Sequence, residues 1–167
     1  MIISLIGFMG CGKSSVGRRL SELLCCPFMD LDTVIEEHTG RSIPEIFAAD
    51  GEAVFRQMES GCLERVLKPP TAVVSLGGGT VMQERCAEMV RENTVCVYLR
   101  TSVETLVERL SDEAAGRPML QGTDLRTRIE TLMAQRSAIY ESTASHIIDT
   151  DGLSIDEVAQ FITRIIM

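Results

Sequence analysis

Short runs of consecutive apolar residues alternate along this chain with longer stretches in which apolar positions recur every three or four residues. The first kind reads as buried strands and the second as amphipathic helices. Strands are predicted at Ile2–Ile6, Pro27–Leu31, Ala72–Leu76, Val95–Leu99 and His146–Asp149. Helices are predicted at Ser14–Leu24, Val81–Arg91, Thr101–Leu110, Leu125–Tyr140 and Ile155–Ile166. Two or three further helical segments fall between Thr33 and Leu67, broken by Gly40 and by the Asp50-Gly51 turn. Continuous apolar strands separated by helices imply an α/β fold, a parallel sheet covered on both faces. The mostly helical stretch 33–60, inserted between two strands, is a candidate substrate-binding lobe. The polar, Gly- and Pro-bearing stretch Ser111–Gly122 is a candidate lid.

Composition narrows the class. A chain of 167 residues suits one domain, 1–167, around one core. Aromatic residues make up only 4% and Trp is absent, so the core must be aliphatic and Met-rich. Sixteen Lys and Arg face 24 Asp and Glu, a net charge of −8. That balance argues against a nucleic-acid partner, whose phosphates demand basic contacts. Anionic ligands must then be caught by local Arg, Lys and backbone N–H groups. The six cysteines form no C-x-x-C pair and there are only two histidines, so a zinc site is not expected. Free thiols suit a reducing, cytoplasmic setting. Met1 runs straight into a strand with no basic region ahead of it, and no apolar run approaches membrane-spanning length. Neither a signal peptide nor a membrane partner is expected.

The first candidate chemistry is Gly7-Phe8-Met9-Gly10-Cys11-Gly12-Lys13-Ser14, which fits G-x-x-x-x-G-K-[ST]. It follows a strand and precedes a helix, the context that this motif requires. Its glycines let successive N–H groups curl around phosphate oxygens, and the helix start adds partial positive charge. Lys13 would reach the β- and γ-phosphates, and Ser14 would ligate Mg²⁺. Cys11 sits inside the loop, where Lys13 and the helix N-terminus favour its thiolate. A GTP switch protein would carry N-K-x-D, but Asn93 is the lone Asn and Thr94 follows it. The D-x-x-G of Asp149–Gly152 ends the last strand and reads as chance. What remains is a kinase of a small metabolite.

Asp30-Leu31-Asp32 is expected to end the second strand with both carboxylates on one side, at the edge where ligands collect. One could hold Mg²⁺ through water, and the other could accept a proton from an attacking hydroxyl. The competing reading is a solvated pair capping the next helix. Arg56 and Glu59 stand three residues apart on a helix and can pair, and a planar Arg can grip a substrate carboxylate with two hydrogen bonds. Gly77-Gly78-Gly79 follows a buried strand and offers bare backbone to a ligand.

Taken in order, these motifs resemble shikimate kinase: the P-loop, D-x-D at 30–32, F-R-x-x-E at 55–59, S-L-G-G-G at 75–79, R-P-x-L at 117–120, and Arg136 ahead of Tyr140. The match spans nearly the whole chain. The resemblance implies a three-layer P-loop kinase fold with a five-stranded parallel sheet in the order 2-3-1-4-5. It implies ATP-dependent phosphorylation of the shikimate 3-hydroxyl, on the way to chorismate and the aromatic amino acids. Carried over by position, Gly10, Cys11, Gly12, Lys13, Ser14 and Ser15 would hold the ATP phosphates, and Asp30 would support Mg²⁺ through water beside Ser14. Asp32 would bind the shikimate hydroxyls and act as base or orienter. Arg56 and Arg136 would clamp the carboxylate, while Gly77, Gly78 and Gly79 would meet substrate hydroxyls. Arg117 would stabilise the transferring phosphoryl from the lid, and Arg109 would stack on adenine. Phe47, Phe55, Glu59, Pro118 and Met119 would line or support the pocket. The protein is expected to be a monomer. Two positions depart from the family: Cys11 stands where Ser or Ala is frequent, raising an expectation of thiol sensitivity, and Ile155 replaces a frequent proline near adenine. A gluconate-type sugar-acid kinase and a non-catalytic nucleotide binder remain as alternatives.

Overall fold

Strand β1 (Ile2–Ile6) is buried along its whole length, and its side chains divide between two hydrophobic cores. Ile2 and Ile6 join one cluster, Ile3 and Leu5 the other. The pleat of a strand sends neighbours to opposite faces. In β3 (Ala72–Ser75) Val74 and Val73 divide in the same way, and in β4 (Thr94–Arg100) Tyr98 and Val97 do. A sheet with two apolar faces must be covered on both. The computed structural model describes residues 1–111 and 124–167. The expected lid beyond Ser111, with Arg117, Pro118, Met119 and Leu120, therefore lies outside the described residues.

On one face, α2 (Leu31–Thr39), α3 (Ile43–Val66) and α4 (Glu84–Asn93) supply the cover. On the other, α1 (Lys13–Leu24), α5 (Val103–Leu110) and α7 (Ile155–Ile166) do so. Helix α6 (Leu125–Thr143) serves both, giving Ile129 and Leu132 to the second core and Tyr140 to the first. With β2 (Phe28–Asp30) and β5 (His146–Asp149) the sheet has five strands, all parallel, in the order β2-β3-β1-β4-β5. The chain builds β2 and β3 on one side of β1 and then crosses to build β4 and β5 on the other. The carboxyl end of β1 is thus the switch point where open α/β sheets collect ligands.

Two boundaries near the site differ from the sequence reading. β2 stops at Asp30 because Asp30 caps the helix that begins at the next residue: its Oδ1 accepts from the Asp32 and Thr33 amides at 3.0 and 3.3 Å. The helix expected from Val81 starts at Glu84, after a 3₁₀ turn over Thr80–Met82 that the Met82 amide closes onto Gly79 O at 3.1 Å. α3 carries the expected break at Gly51, whose φ of 84° leaves the helical region. Among the described residues no helix is long and apolar enough to cross a membrane.

Candidate active site

The P-loop leaves β1 at Gly7 and enters α1 at Lys13. Gly12, the residue before α1, has φ 97°, a conformation that L side chains rarely adopt. Gly10 has φ 84°, and a Cβ there would stand 2.8 Å from a Leu110 methyl. Lys13 is 9% exposed, and its ammonium donates to Gly7 O at 2.9 Å and Phe8 O at 3.1 Å. That places a buried cation in the mouth of the loop. A cavity of 390 Å³ opens over Gly10, Gly12, Lys13, Ser14 and Ser15 and continues along Asp30, Asp32, Gly77 and Gly78. Cys11 belongs to this loop by its backbone, but its side chain is 3% exposed and packs in the second core.

Ser14 Oγ donates to Asp30 Oδ2 at 2.5 Å. Asp30 therefore serves two elements at once: one oxygen caps α2 and the other meets the P-loop serine. This corrects the expected geometry of the carboxylate pair. Asp30 and Asp32 do not share a strand face. Asp30 ends β2 and Asp32 sits in the first turn of α2. Both still reach the same cavity, because the cap bends the chain at that point. The two oxygens of Ser14 and Asp30 are hard donors side by side, the chemistry that Mg²⁺ prefers. Among the described residues no group of three or more His, Cys, Asp or Glu could hold a metal. A cation carried in by nucleotide phosphates needs fewer protein ligands.

A second cavity, of 230 Å³, adjoins the first and shares Met9, Asp32, Gly77 and Gly78 with it. Phe47 and Phe55, with ring centroids 4.9 Å apart, form one wall, and Arg56, Glu59, Gly79 and Arg136 line the rest. Arg56 Nη1 donates to Glu59 Oε1 at 2.8 Å, realising the predicted pair. Glu59 is 1% exposed, and its other contacts are Thr80 Oγ1 at 2.7 Å and Gln83 Nε2 at 3.2 Å. Burial works against the charge on Arg56, but the Glu59 and Glu52 carboxylates together outweigh it and raise the guanidinium pKa. Arg136 is 4% exposed, lies over the Phe8 ring, and keeps Nη1 without a hydrogen-bond partner. Tyr140 O–H donates to Gly78 O.

The glycine run is not a strained turn, since none of its three members has positive φ. It provides room. A Cβ on Gly79 would stand 2.6 Å from Arg56 Nη2, and one on Gly77 would stand 3.1 Å from Asp32 Oδ1.

A third cavity, of 290 Å³, lies behind the P-loop between Arg109, Thr150, Leu153 and Ile155. Arg109 Nη1 donates to Gly10 O at 3.2 Å. The two positions singled out for adenine thus meet in one place.

A family model described as shikimate kinase matches residues 9–167. The chain belongs to the shikimate kinase family. It is 43% identical to the shikimate kinase of Thioalkalivibrio sulfidiphilus, over 97% of this chain and 85% of that protein. It is 40% identical to that of Rhodococcus jostii, over 93% and 92%. Among solved structures, the shikimate kinase of Acinetobacter baumannii in complex with shikimate superposes with a TM-score of 0.96 at 35% identity, covering 99% of this chain and 92% of that one. The shikimate kinase of Aquifex aeolicus superposes at 0.84 with 32% identity, covering 99% and 96%.

Of the expected site residues, all but Arg117, Pro118 and Met119 fall among those described, and they gather at the carboxyl edge of the sheet. Sequence reasoning missed several that belong with them. Met9 forms the divide between the first two cavities. Glu36, Ile43 and Pro44 complete the second cavity, and the Glu36 carboxylate accepts from the Ile43 amide at 2.9 Å. Thr80 and Gln83 hold Glu59. Only Met9 carried a local signal, being enclosed by the motif itself. The others depend on how α2, α3 and the 3₁₀ turn pack.

Proposed function

We propose that the 390 Å³ cavity holds the phosphates of ATP and the 230 Å³ cavity holds shikimate, so that acceptor and donor meet across Asp32, Gly77 and Gly78. The chain is an ATP-dependent kinase of shikimate, as its family is, and serves aromatic amino acid biosynthesis. The observation that carries the residue assignment is Arg136, a buried guanidinium that lines the second cavity and keeps Nη1 without a hydrogen-bond partner. A buried cation without a full set of partners is costly, and a carboxylate satisfies it with two short charge-assisted bonds. Arg56 reaches the same cavity while Glu59 holds it from behind, so the substrate carboxylate is gripped from two sides.

Asp32 then faces the hydroxyl side of the ring. Its carboxylate takes the proton of the 3-hydroxyl as that oxygen attacks the γ-phosphorus, and ADP leaves along the P-loop. Lys13 and the loop amides neutralise the β- and γ-oxygens from the position that Lys13 already occupies. Gly77, Gly78 and Gly79 admit the ring hydroxyls to the backbone. Mg²⁺ would be held by Ser14 Oγ and, through water, by Asp30, and when bound it supplies charge to the bridging phosphate oxygens. Arg109 is assigned to adenine and Arg117 to the transferring phosphoryl, the latter on its family motif alone. The setting proposed is a cytoplasmic monomer of one domain.

The test is an ADP-release assay with shikimate and gluconate side by side, on wild type and on Arg136→Ala. Turnover with shikimate alone is expected. Arg136→Ala should raise the shikimate KM by about 30-fold or more, as for loss of a charge-assisted pair, and leave the ATP KM near its wild-type value. An unchanged shikimate KM would remove the clamp.

A further inference from the structure

Arg136 has an obvious use in the R-x-x-x-Y motif, whereas Tyr140 has none in the clamp. Tyr140 lies one helical turn beyond Arg136 on α6 and is fully buried. Its hydroxyl donates to the carbonyl oxygen of Gly78, 62 residues away in sequence. Gly78 also lies beside the Arg136 guanidinium, since a Cβ there would stand 3.3 Å from Arg136 Nη1 and 3.3 Å from the Met9 amide nitrogen. The phenol therefore holds a glycine that stands between the arginine and the P-loop.

The peptide geometry says what this contact does. Gly78 O belongs to the rigid Gly78–Gly79 peptide plane, and in a trans peptide the N–H points opposite to the C=O. A hydroxyl holding Gly78 O toward α6 thus turns the Gly79 N–H away from α6. A run of three glycines has little of its own to select that orientation. We propose that Tyr140 is a positioning residue for the shikimate subsite, its hydroxyl fixing the Gly78–Gly79 peptide beside the Arg136 guanidinium. This rests on the assignment of Gly78 and Arg136 to shikimate.

The molecule carries its own control. The ring of Tyr98 packs on Tyr140 with centroids 5.0 Å apart, and the Tyr98 hydroxyl is buried with no partner among the described residues. Burial pushes the Tyr98 pKa up to about 12 and raises that of Tyr140 as well, so both phenols stay protonated at working pH. Both are equally tyrosine and equally buried, yet only one bonds to the site. Removing an unpartnered hydroxyl is close to neutral, whereas removing a bonded one loses the contact.

Steady-state kinetics with shikimate and ATP on Tyr140→Phe, Tyr98→Phe and Arg136→Lys tests the proposal. Tyr140→Phe is expected to raise the shikimate KM about three- to tenfold, the worth of one hydrogen bond, with the ATP KM unchanged. Tyr98→Phe is expected to leave both constants unchanged. An unaltered shikimate KM in Tyr140→Phe, or a rise shared equally by ATP or by Tyr98→Phe, would overturn the proposal. Arg136→Lys separates the two readings. If it leaves the shikimate KM untouched, the clamp itself fails. If it raises that KM while Tyr140→Phe does not, only the role of Tyr140 fails. A second measurement does not depend on Tyr140→Phe folding. The chain has no Trp and two Tyr, so Tyr140 is the sole phenol of the Tyr98→Phe enzyme. Its emission is expected to change on titration with shikimate, and indifference at saturation would overturn the proposal.

Discussion

Gly79 is a glycine for the sake of its neighbour. Its backbone, at φ −108° and ψ 2°, is open to any residue. What a side chain would meet is the tip of Arg56, with Nη2 at 2.6 Å and Nη1 at 2.9 Å. The tip of a long side chain can move, so Gly79→Ala should fold with a near-normal melting temperature. The displaced guanidinium should raise the shikimate KM about tenfold or more, with the ATP KM unchanged. Initial rates with each substrate varied in turn decide it, and equal effects on both substrates would count against this reading. Cys11 shows the opposite lesson. Its position in the loop suggested a sensitive thiol, and the Lys13 ammonium does lie 3.8 Å from its Sγ, yet it is 3% exposed and packs in the second core. All six thiols are free, and Cys25, after α1, is the exposed one. Neighbouring Cys26 is held back by burial, which raises its pKa, as burial raises that of Cys96 to about 11. Brief iodoacetamide treatment of the native enzyme should therefore label Cys25 first and spare activity, as mass spectrometry and a parallel assay would show. Early loss of activity with label on Cys11 would mean that the loop opens more readily than its packing indicates.

Among the elements, α2 depends most on a single residue. Asp30 is its N-cap through Oδ1 and the partner of Ser14 through Oδ2. The strand-parity argument placed both aspartates on one strand face and failed on geometry, because an acidic residue just before a periodic helix is also a start signal. Capping and a place in the site compete in the sequence, and in the structure one oxygen of Asp30 caps α2 while the other meets the P-loop Ser14. Two substitutions divide them. Asp30→Asn keeps an oxygen for the cap and replaces the acceptor facing Ser14. It should fold normally but need more Mg²⁺ for half-maximal rate. Asp30→Ala loses the cap as well, at about 1 kcal/mol, and should melt about 2–4 °C lower. A thermal melt and a Mg²⁺ titration of each variant check this. Equal melting of the two would remove the cap from the account.

For the whole molecule, the central strands β1, β3 and β4 were legible because buried parallel strands must be short apolar runs, and the partly exposed edge strands β2 and β5 also lie where such runs fall. The sheet order was not legible in that way, since no local pattern records which strand lies beside which. It came with the resemblance. That the motifs converge was half legible: motifs at strand ends of a parallel sheet meet on one edge. The walls contributed by Glu36, Ile43 and Pro44 were not, for they depend on how α2 and α3 pack. The same convergence gives a prediction that only the intact fold can show. Two cavities against one sheet edge, sharing Met9, Asp32, Gly77 and Gly78, are built from α1, α2, α3, β3 and α6 together. A ligand that binds only this assembled edge stabilises the whole domain by mass action. Shikimate at about 100 times its Kd should add about 2.7 kcal/mol, which is about 5–10 °C in melting temperature for a chain of this size. In Arg136→Ala, with binding about 30-fold weaker, that shift should fall to about a third or less at the same concentration, while the shift produced by ADP persists. Because Arg136 touches only the second cavity, loss of both shifts would mean that the substitution had disturbed the fold. A shikimate shift undiminished by it would place shikimate elsewhere on the protein.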